Sequence, residues 1–298
     1  MQSEMQARDE VPGGAAPGSN ISVLTSEGDG TPRLGARVFP LERWMARRHA
    51  VVGAEVAVTA SLLGLLPASP TVVMVVAPDV TVGAVVDRLL PAACGMLPAG
   101  DSGSDTSTDT GTGTASLTLG VASPHPVRSA TAGPLAMYNQ HLEALPEALV
   151  EAVAVARRRG LVTAHGNAVL LLQPFVPATA SAVVQASPAR TVPVRIDGRW
   201  GLTEASSPAD TFEVPADGDT ISERLAWKPD AQVVADGGTH SVRLPVSWRY
   251  RYTLTRETVR RLATLARDAA VAAGRSLTLD IALGAQATVV LRCRPTRD

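Results

Sequence analysis

Two arginines alternate near the end of the sequence, Arg292 and Arg294, and a lone carboxylate, Asp280, precedes them between Leu279 and Ile281. A guanidinium presents a planar fork of donors, so arginines at alternate strand positions offer one face to a phosphate or carboxylate. A carboxylate offers hard oxygen to Mg²⁺. The same side chains allow a plainer arrangement, in which Asp280 pairs with the arginines across neighbouring strands as a structural salt bridge. Arg157-Arg158-Arg159 suits a phosphate clamp, and equally suits the last turn of a helix ending before Gly160. The histidines (His49, His125, His141, His165 and His240) are scattered and read as structural or exposed. Cys293 lies in an apolar run and makes a poor nucleophile. No phosphate-binding Gly-x-x-x-x-Gly-Lys-Ser/Thr loop, dinucleotide Gly-x-Gly-x-x-Gly turn, His-Glu-x-x-His, Cys-x-x-Cys or Gly-x-Ser-x-Gly occurs in a supporting context.

These residues need strands and helices to hold them. The run 71–76 reads as a buried strand, and alternation at Leu117, Leu119 and Val121 as another. Pro146 opens a helix with Leu149, Ala152, Val153 and Ala156 on its apolar face, and Gly160 stops it. Short strands follow at 169–172, 183–184 and 192–196, with Asp197-Gly198 read as a turn. Residues 247–254 read as extended. Thr255 then caps a helix reaching Ala273, closed by Gly274, and 277–281 and 288–293 make two final strands. Upstream, 39–66 reads mostly helical, and Asp79 is positioned to cap a helix over 82–90.

Composition divides the chain further. Residues 1–32 are rich in Gly, Ser, Pro and acids and read as a flexible arm. Residues 33–98 form an N-terminal lobe, 99–115 a low-complexity loop or linker, and 116–298 the larger remaining region. The loop reads equally well as an insertion within one domain. Lys+Arg total 27 against 28 Asp+Glu, so no basic excess exists to hold a nucleic-acid backbone. With 45% hydrophobic residues the chain can bury a sizeable core, and with 3% aromatic residues that core is built from Ala, Val and Leu. The longest apolar stretch, 50–66, is interrupted by Glu55 and ended by Pro67, too short and too marked for a membrane span. Two cysteines cannot make a disulfide scaffold. A cytoplasmic protein is the expectation.

From Gln173 onward, short strings fall in a telling order: Gln173-Pro174-Phe175-Val176, Ala180-Ser181-Ala182-Val183, Trp200-Gly201-Leu202-Thr203-Glu204, Pro208-Ala209-Asp210-Thr211-Phe212, then Asp280 and Arg292-Cys293-Arg294-Pro295. Together with Val127-Arg128-Ser129 and the following Ala132-Gly133, this series resembles the N-terminal ATP-binding domain of the phosphoenolpyruvate synthase and pyruvate phosphate dikinase family, an ATP-grasp-like domain. The resemblance covers about Val127 to the C-terminus. It implies an α+β, two-lobed nucleotide-binding fold with a divergent N-terminal lobe. It also implies ATP and Mg²⁺ as cofactors, with Asp280 at the position of a metal-binding Glu. Arg292 falls on a metal-binding Gln, and Arg294 on a phosphate-binding Arg. The resemblance further implies Arg128 as a second phosphate contact, Glu204 as the residue reaching a nucleotide hydroxyl, and Gln173 beside the base or ribose.

Departures from the family pattern bear on activity. The opening lysine is missing, Thr203 replaces a Gly, and the guanidinium of Arg292 has no lone pair for a metal. The chain is also too short to hold the family's phosphohistidine and pyruvate-binding domains. The expectation is a pseudoenzyme that binds a nucleotide or a partner protein supplying the missing domains. The alternative is an active Mg-ATP-dependent phosphotransferase or ligase, acting on a small phosphoryl acceptor or a partner phosphocarrier domain. Neither nucleic acid nor membrane is expected as a partner.

Overall fold

The computed structural model describes residues 21–24, 55, 58, 62, 65–67, 71–76, 116–122, 136–164, 166–202, 207–216, 218, 220–235, 238–284 and 287–296. Arg128, Glu204, Thr203, most of the arm, the helix expected after Asp79 and the 99–115 loop lie outside the described residues.

Alternating and continuous apolar runs make the strands, and they collect into two main sheets. The first contains β1 (Ile21–Leu24), β2 (Thr71–Val76), β3 (Ser116–Val121), β4 (Ala136–His141) and β5 (Ala168–Pro174), in the order β1-β2-β5-β3-β4. β1 and β2 run parallel; the other pairs are antiparallel. This sheet takes strands from both sides of residues 99–115. Helix α1 (Leu145–Arg158) has Pro146 in its first turn and buries Leu145, Ala148, Leu149, Ala152, Val153 and Ala156. These meet Leu117, Leu119, Val121, Leu170 and Leu172 in one apolar cluster. Each fully buried Leu contributes about 1.5–3 kcal/mol. The helix ends before Gly160, whose φ of +66° closes the turn. Arg157, Arg158 and Arg159 are exposed beside that end, as the helix-terminus reading requires.

The second sheet is antiparallel throughout. It is formed by β6 (Ala180–Ala186), β7 (Val194–Trp200), β8 (Asp210–Val214), β9 (Ser222–Arg224), β12 (Leu277–Leu283) and β13 (Thr288–Pro295), in the order β13-β12-β6-β7-β8-β9. Between β9 and β12 the chain makes a hairpin, β10 (Asp230–Ala235) with β11 (Gly238–Arg243), and a short helix, α2 (Val246–Arg249). Helix α3 (Arg256–Ala273) follows. The Thr255 hydroxyl accepts from the Thr258 N–H at 3.2 Å to cap it, and Gly274 at φ +62° ends it. Its inner face (Val259, Leu262, Ala263, Ala266, Ala269, Ala270) packs on Val184, Ile196, Phe212, Leu277, Leu279 and Ile281.

Two expectations need correction. Asp197-Gly198 is no turn: both residues sit inside β7, paired to β6 and β8. Gly198 is there for close approach, since a Cβ would meet the Thr253 Oγ1 at 2.5 Å. Residues 247–254 are not extended, because α2 and turns occupy them. Among the described residues no helix is long and apolar enough to cross a membrane.

Candidate functional site

Strand alternation gives β12 two unlike faces. Leu277, Leu279, Ile281 and Leu283 join the apolar core beneath α3. Thr278 and Asp280 point to the opposite face. Cross-strand register adds Ser181 and Val183 from β6, and Asp197 and Arg199 from β7. On β13, Cys293 belongs to the apolar core, so Arg292 and Arg294 share the polar face. That face is covered: Arg294 is 1% exposed, Ser181 2% and Arg199 7%. The first sheet supplies cover. Arg292 Nη2 donates to the Val121 carbonyl at 2.6 Å, and Gln173 Nε2 donates to the Leu291 carbonyl and to Thr71 Oγ1, both at 2.8 Å.

Burying cations demands partners. Arg292 finds Glu55: Nε donates to Oε1 at 2.7 Å and Nη2 to Oε2 at 2.8 Å, a bidentate pair with both side chains buried. Burial alone pulls the Arg292 pKa down, but the charge and hydrogen bonds of Glu55, with Asp280 and Tyr138 adding to them, leave it raised. Arg294 Nη2 donates to Asp280 Oδ1 at 2.5 Å. The cross-strand Asp280–Arg294 pair is therefore present, while Arg292 turns to a residue from far upstream. Tyr138 on β4 belongs to the same cluster. Its phenol is raised to about 12: burial and then Asp280 push it up, while Arg292 and Arg294 pull it down.

Arg199 is less well compensated. Burial lowers its pKa, opposed by Asp197 and Asp280. Its Nε donates to the Ser207 carbonyl at 3.0 Å, while its Nη1 is buried with no hydrogen-bond partner. Ser181 Oγ and the Nε and Nη1 of Arg294 are buried and unpartnered in the same way. Ser181 and Arg199 face each other directly in the β6–β7 register, and Ala282 stands beside Ser181 on β12, two residues from Asp280.

A second buried ion pair lies on β8. Asp210 accepts from Lys228 Nζ at 2.5 Å, the Ala226 N–H at 2.9 Å, the Thr253 N–H at 2.8 Å and the Thr253 hydroxyl at 3.0 Å. All its bonds are made within the protein, so it fastens the segments before β10 and α3 to the sheet.

Of the residues marked in the sequence, Asp280, Arg292 and Arg294 come together, and Gln173 braces them from the first sheet. Glu55, Tyr138 and Arg199 were missed as site residues. Glu55 carried a signal, because a lone acid within an apolar stretch must find a buried partner. Among the described residues no group of three His, Cys, Asp or Glu side chains gathers to hold a metal.

No family model matches the chain, and no curated protein does. Solved structures do. The chain is similar to D-alanine–D-alanine ligase from Bacillus anthracis, with 9% identity, 83% of this chain and 57% of that chain covered, and a TM-score of 0.37. It is similar to the dinucleotide-forming acetyl-coenzyme A synthetase 1 of Ca. Korarchaeum cryptofilum, with 11% identity, coverage of 81% and 89%, and a TM-score of 0.37. It is also similar to the ATP-grasp ligase PsnB, with 10% identity, coverage of 78% and 49%, and a TM-score of 0.27. The chain spans about half the length of the two ligases. At these identities and TM-scores the likeness brings no superfamily, activity or ligand with it; the mixed α+β character is that of the chain's own sheets and helices.

Proposed function

We propose that this chain is a divergent ATP-grasp-like protein, akin to the ATP-binding domain of phosphoenolpyruvate synthase and pyruvate phosphate dikinase. In this reading it keeps a cationic binding face between its sheets and by itself transfers no phosphoryl group. The observation that carries the reading is the bidentate Glu55–Arg292 pair. The family places a metal-binding Gln at this position; here a guanidinium stands there, already neutralised from inside the protein.

The residues do not fit Mg²⁺. Asp280 is the carboxylate available, and Arg294 holds it at 2.5 Å. Arg199 and Arg292 add their positive fields. A divalent ion there would have to displace Arg294 and sit among guanidiniums that can offer it no lone pair. Asp280 therefore serves as a counter-ion. The residues do fit an anion, because Arg294 and Arg199 retain buried donors without partners. Arg294 and Arg128 are the phosphate contacts of this reading, Glu204 the contact to a nucleotide hydroxyl, and Gln173 the neighbour of the base or ribose. The bound species is a nucleotide, or a partner protein.

An ATP turnover assay on the purified chain, with and without Mg²⁺, tests this. The expected result is no metal-dependent turnover. Turnover that requires Mg²⁺ and disappears in Asp280→Ala, with the fold intact, would establish the active phosphotransferase or ligase instead.

A further inference from the structure

Among the described residues, four buried polar atoms on one sheet face lack hydrogen-bond partners: Ser181 Oγ, Arg199 Nη1, and Arg294 Nε and Nη1. Buried donors in native proteins are almost always satisfied, so a cluster of orphans signals a missing acceptor. Their neighbours do not supply it. Asp280 is the carboxylate between the two arginines, and it takes its bond from Arg294 Nη2, not from the orphaned atoms. Asp197 accepts from Arg195 at 3.3 Å and Thr211 at 3.1 Å. Glu55 is held by both forks of Arg292. Asp197 and Asp280 both act on Arg199 through their charge, yet neither takes a bond from the orphaned atoms.

We propose that Ser181, Arg199 and Arg294 form a metal-independent phosphoryl-anion site on the covered face of the six-stranded sheet. This rests on the reading of that face as a ligand-binding one and names the chemistry it takes. Donor number selects the anion. With one N–H on Nε, two on each Nη1 and one O–H on Oγ, the orphaned atoms carry about six hydrogens. A carboxylate offers lone pairs for about four, whereas the three terminal oxygens of a phosphate monoester can accept them all. Two guanidiniums also supply the charge that a divalent ion supplies in magnesium-dependent phosphate sites. The grouping is specified by strand register: Ser181 lies directly across from Arg199, and Arg294 is tethered to the same face through Asp280. Neither Ser181 nor Arg199 was singled out as a binding residue by the sequence.

The test is calorimetric titration of the full chain with inorganic phosphate, acetate and ATP in the presence of EDTA, repeated with Mg²⁺. The variants are Ser181→Ala, which removes one donor and leaves the strand unstrained, and Arg199→Met. Circular dichroism confirms folding. The expected result is phosphate binding in EDTA, stronger than acetate binding, unchanged by Mg²⁺. Binding should weaken about threefold in Ser181→Ala and about tenfold or more in Arg199→Met, the range for losing neutral and charged hydrogen bonds. ATP that displaces phosphate identifies a nucleotide's terminal phosphoryl group as the source, and ATP that does not displace it identifies a smaller phosphate ester; both support the site. The proposal is overturned by an absence of phosphate binding, by binding that requires Mg²⁺, or by equal affinity in wild type and both variants. Failure here is separable from failure of the broader reading. Metal-dependent ATP turnover would refute that reading whatever phosphate does, whereas a turnover-free protein that ignores phosphate would refute only this site.

Discussion

Glu55 and Arg292 stand 237 positions apart in sequence and meet through two hydrogen bonds in a buried setting. Removing one member of such a pair strands the other charge, so Glu55→Ala is expected to cost about 3–5 kcal/mol in urea denaturation; a loss below 1 kcal/mol would show the pair to be dispensable. Cys293 tells a related story. Burial raises its thiol, with Glu55 and Asp280 contributing. In the native protein at pH 8 it should resist iodoacetamide, and it should label fully after denaturation, as read by peptide mass mapping. Native labelling would contradict its position in the apolar core. Tyr138 gives a pH test. Its folded-state phenol is raised from 10 to about 12, chiefly by burial, so the folded protein holds the proton more tightly than the unfolded chain. That contribution is complete below pH 10 and is lost as pH climbs through 12, by about 3 kcal/mol at most. Tyr138→Phe should flatten this part of the stability profile. At this scale the sequence revealed the Asp280–Arg294 pair through strand alternation. The partner of Arg292 was hidden, because nothing local links a strand to a residue so far upstream.

Local rules served well for elements whose ends carry their own chemistry. Thr255, the periodic apolar face and Gly274 marked α3 at both ends, and the structure places the cap and the left-handed glycine there. Thr255→Ala is expected to lower stability by about 1 kcal/mol, measured by thermal or chemical unfolding; no change would mean that packing alone sets the helix start. Asp197-Gly198 shows where local rules fail. The dipeptide is a strong turn signal in isolation, yet pairing on both sides keeps it extended, and Thr253 uses the space a side chain would fill. Strands β9, β10 and β11 were equally hard to read. Much of their surface is exposed, so no apolar alternation marks them. Gly201 is the sharpest local constraint: its φ is +70° and an added Cβ would lie 2.0 Å from the Gln232 carbonyl oxygen. Gly201→Ala should destabilise by more than 2 kcal/mol and disturb the hairpin contact. A neutral outcome would imply that this contact yields easily.

At the scale of the molecule, the mixed α+β character was legible from strands and helices sharing the second half. The sheet order was not. Joining β2 to β5, and β5 to β3, depends on long-range pairing that no short window contains. The polar face of the second sheet was half legible. Its arginines and aspartate were visible in sequence, but their burial follows from the first sheet lying over them.

The segment around Glu55 has one more consequence, which concerns synthesis. Pro67 accepts a hydrogen bond from Val290 at 2.9 Å, and Val58, Leu62 and Leu66 enter the core beneath α3. A ribosome makes this segment more than two hundred residues before it makes β13. Until then its apolar side chains and its acid have no final seat, and the β12 edge stands open to other strands. The nascent protein is thus most prone to misassociation between the synthesis of this segment and that of β13, the strand that covers the β12 edge.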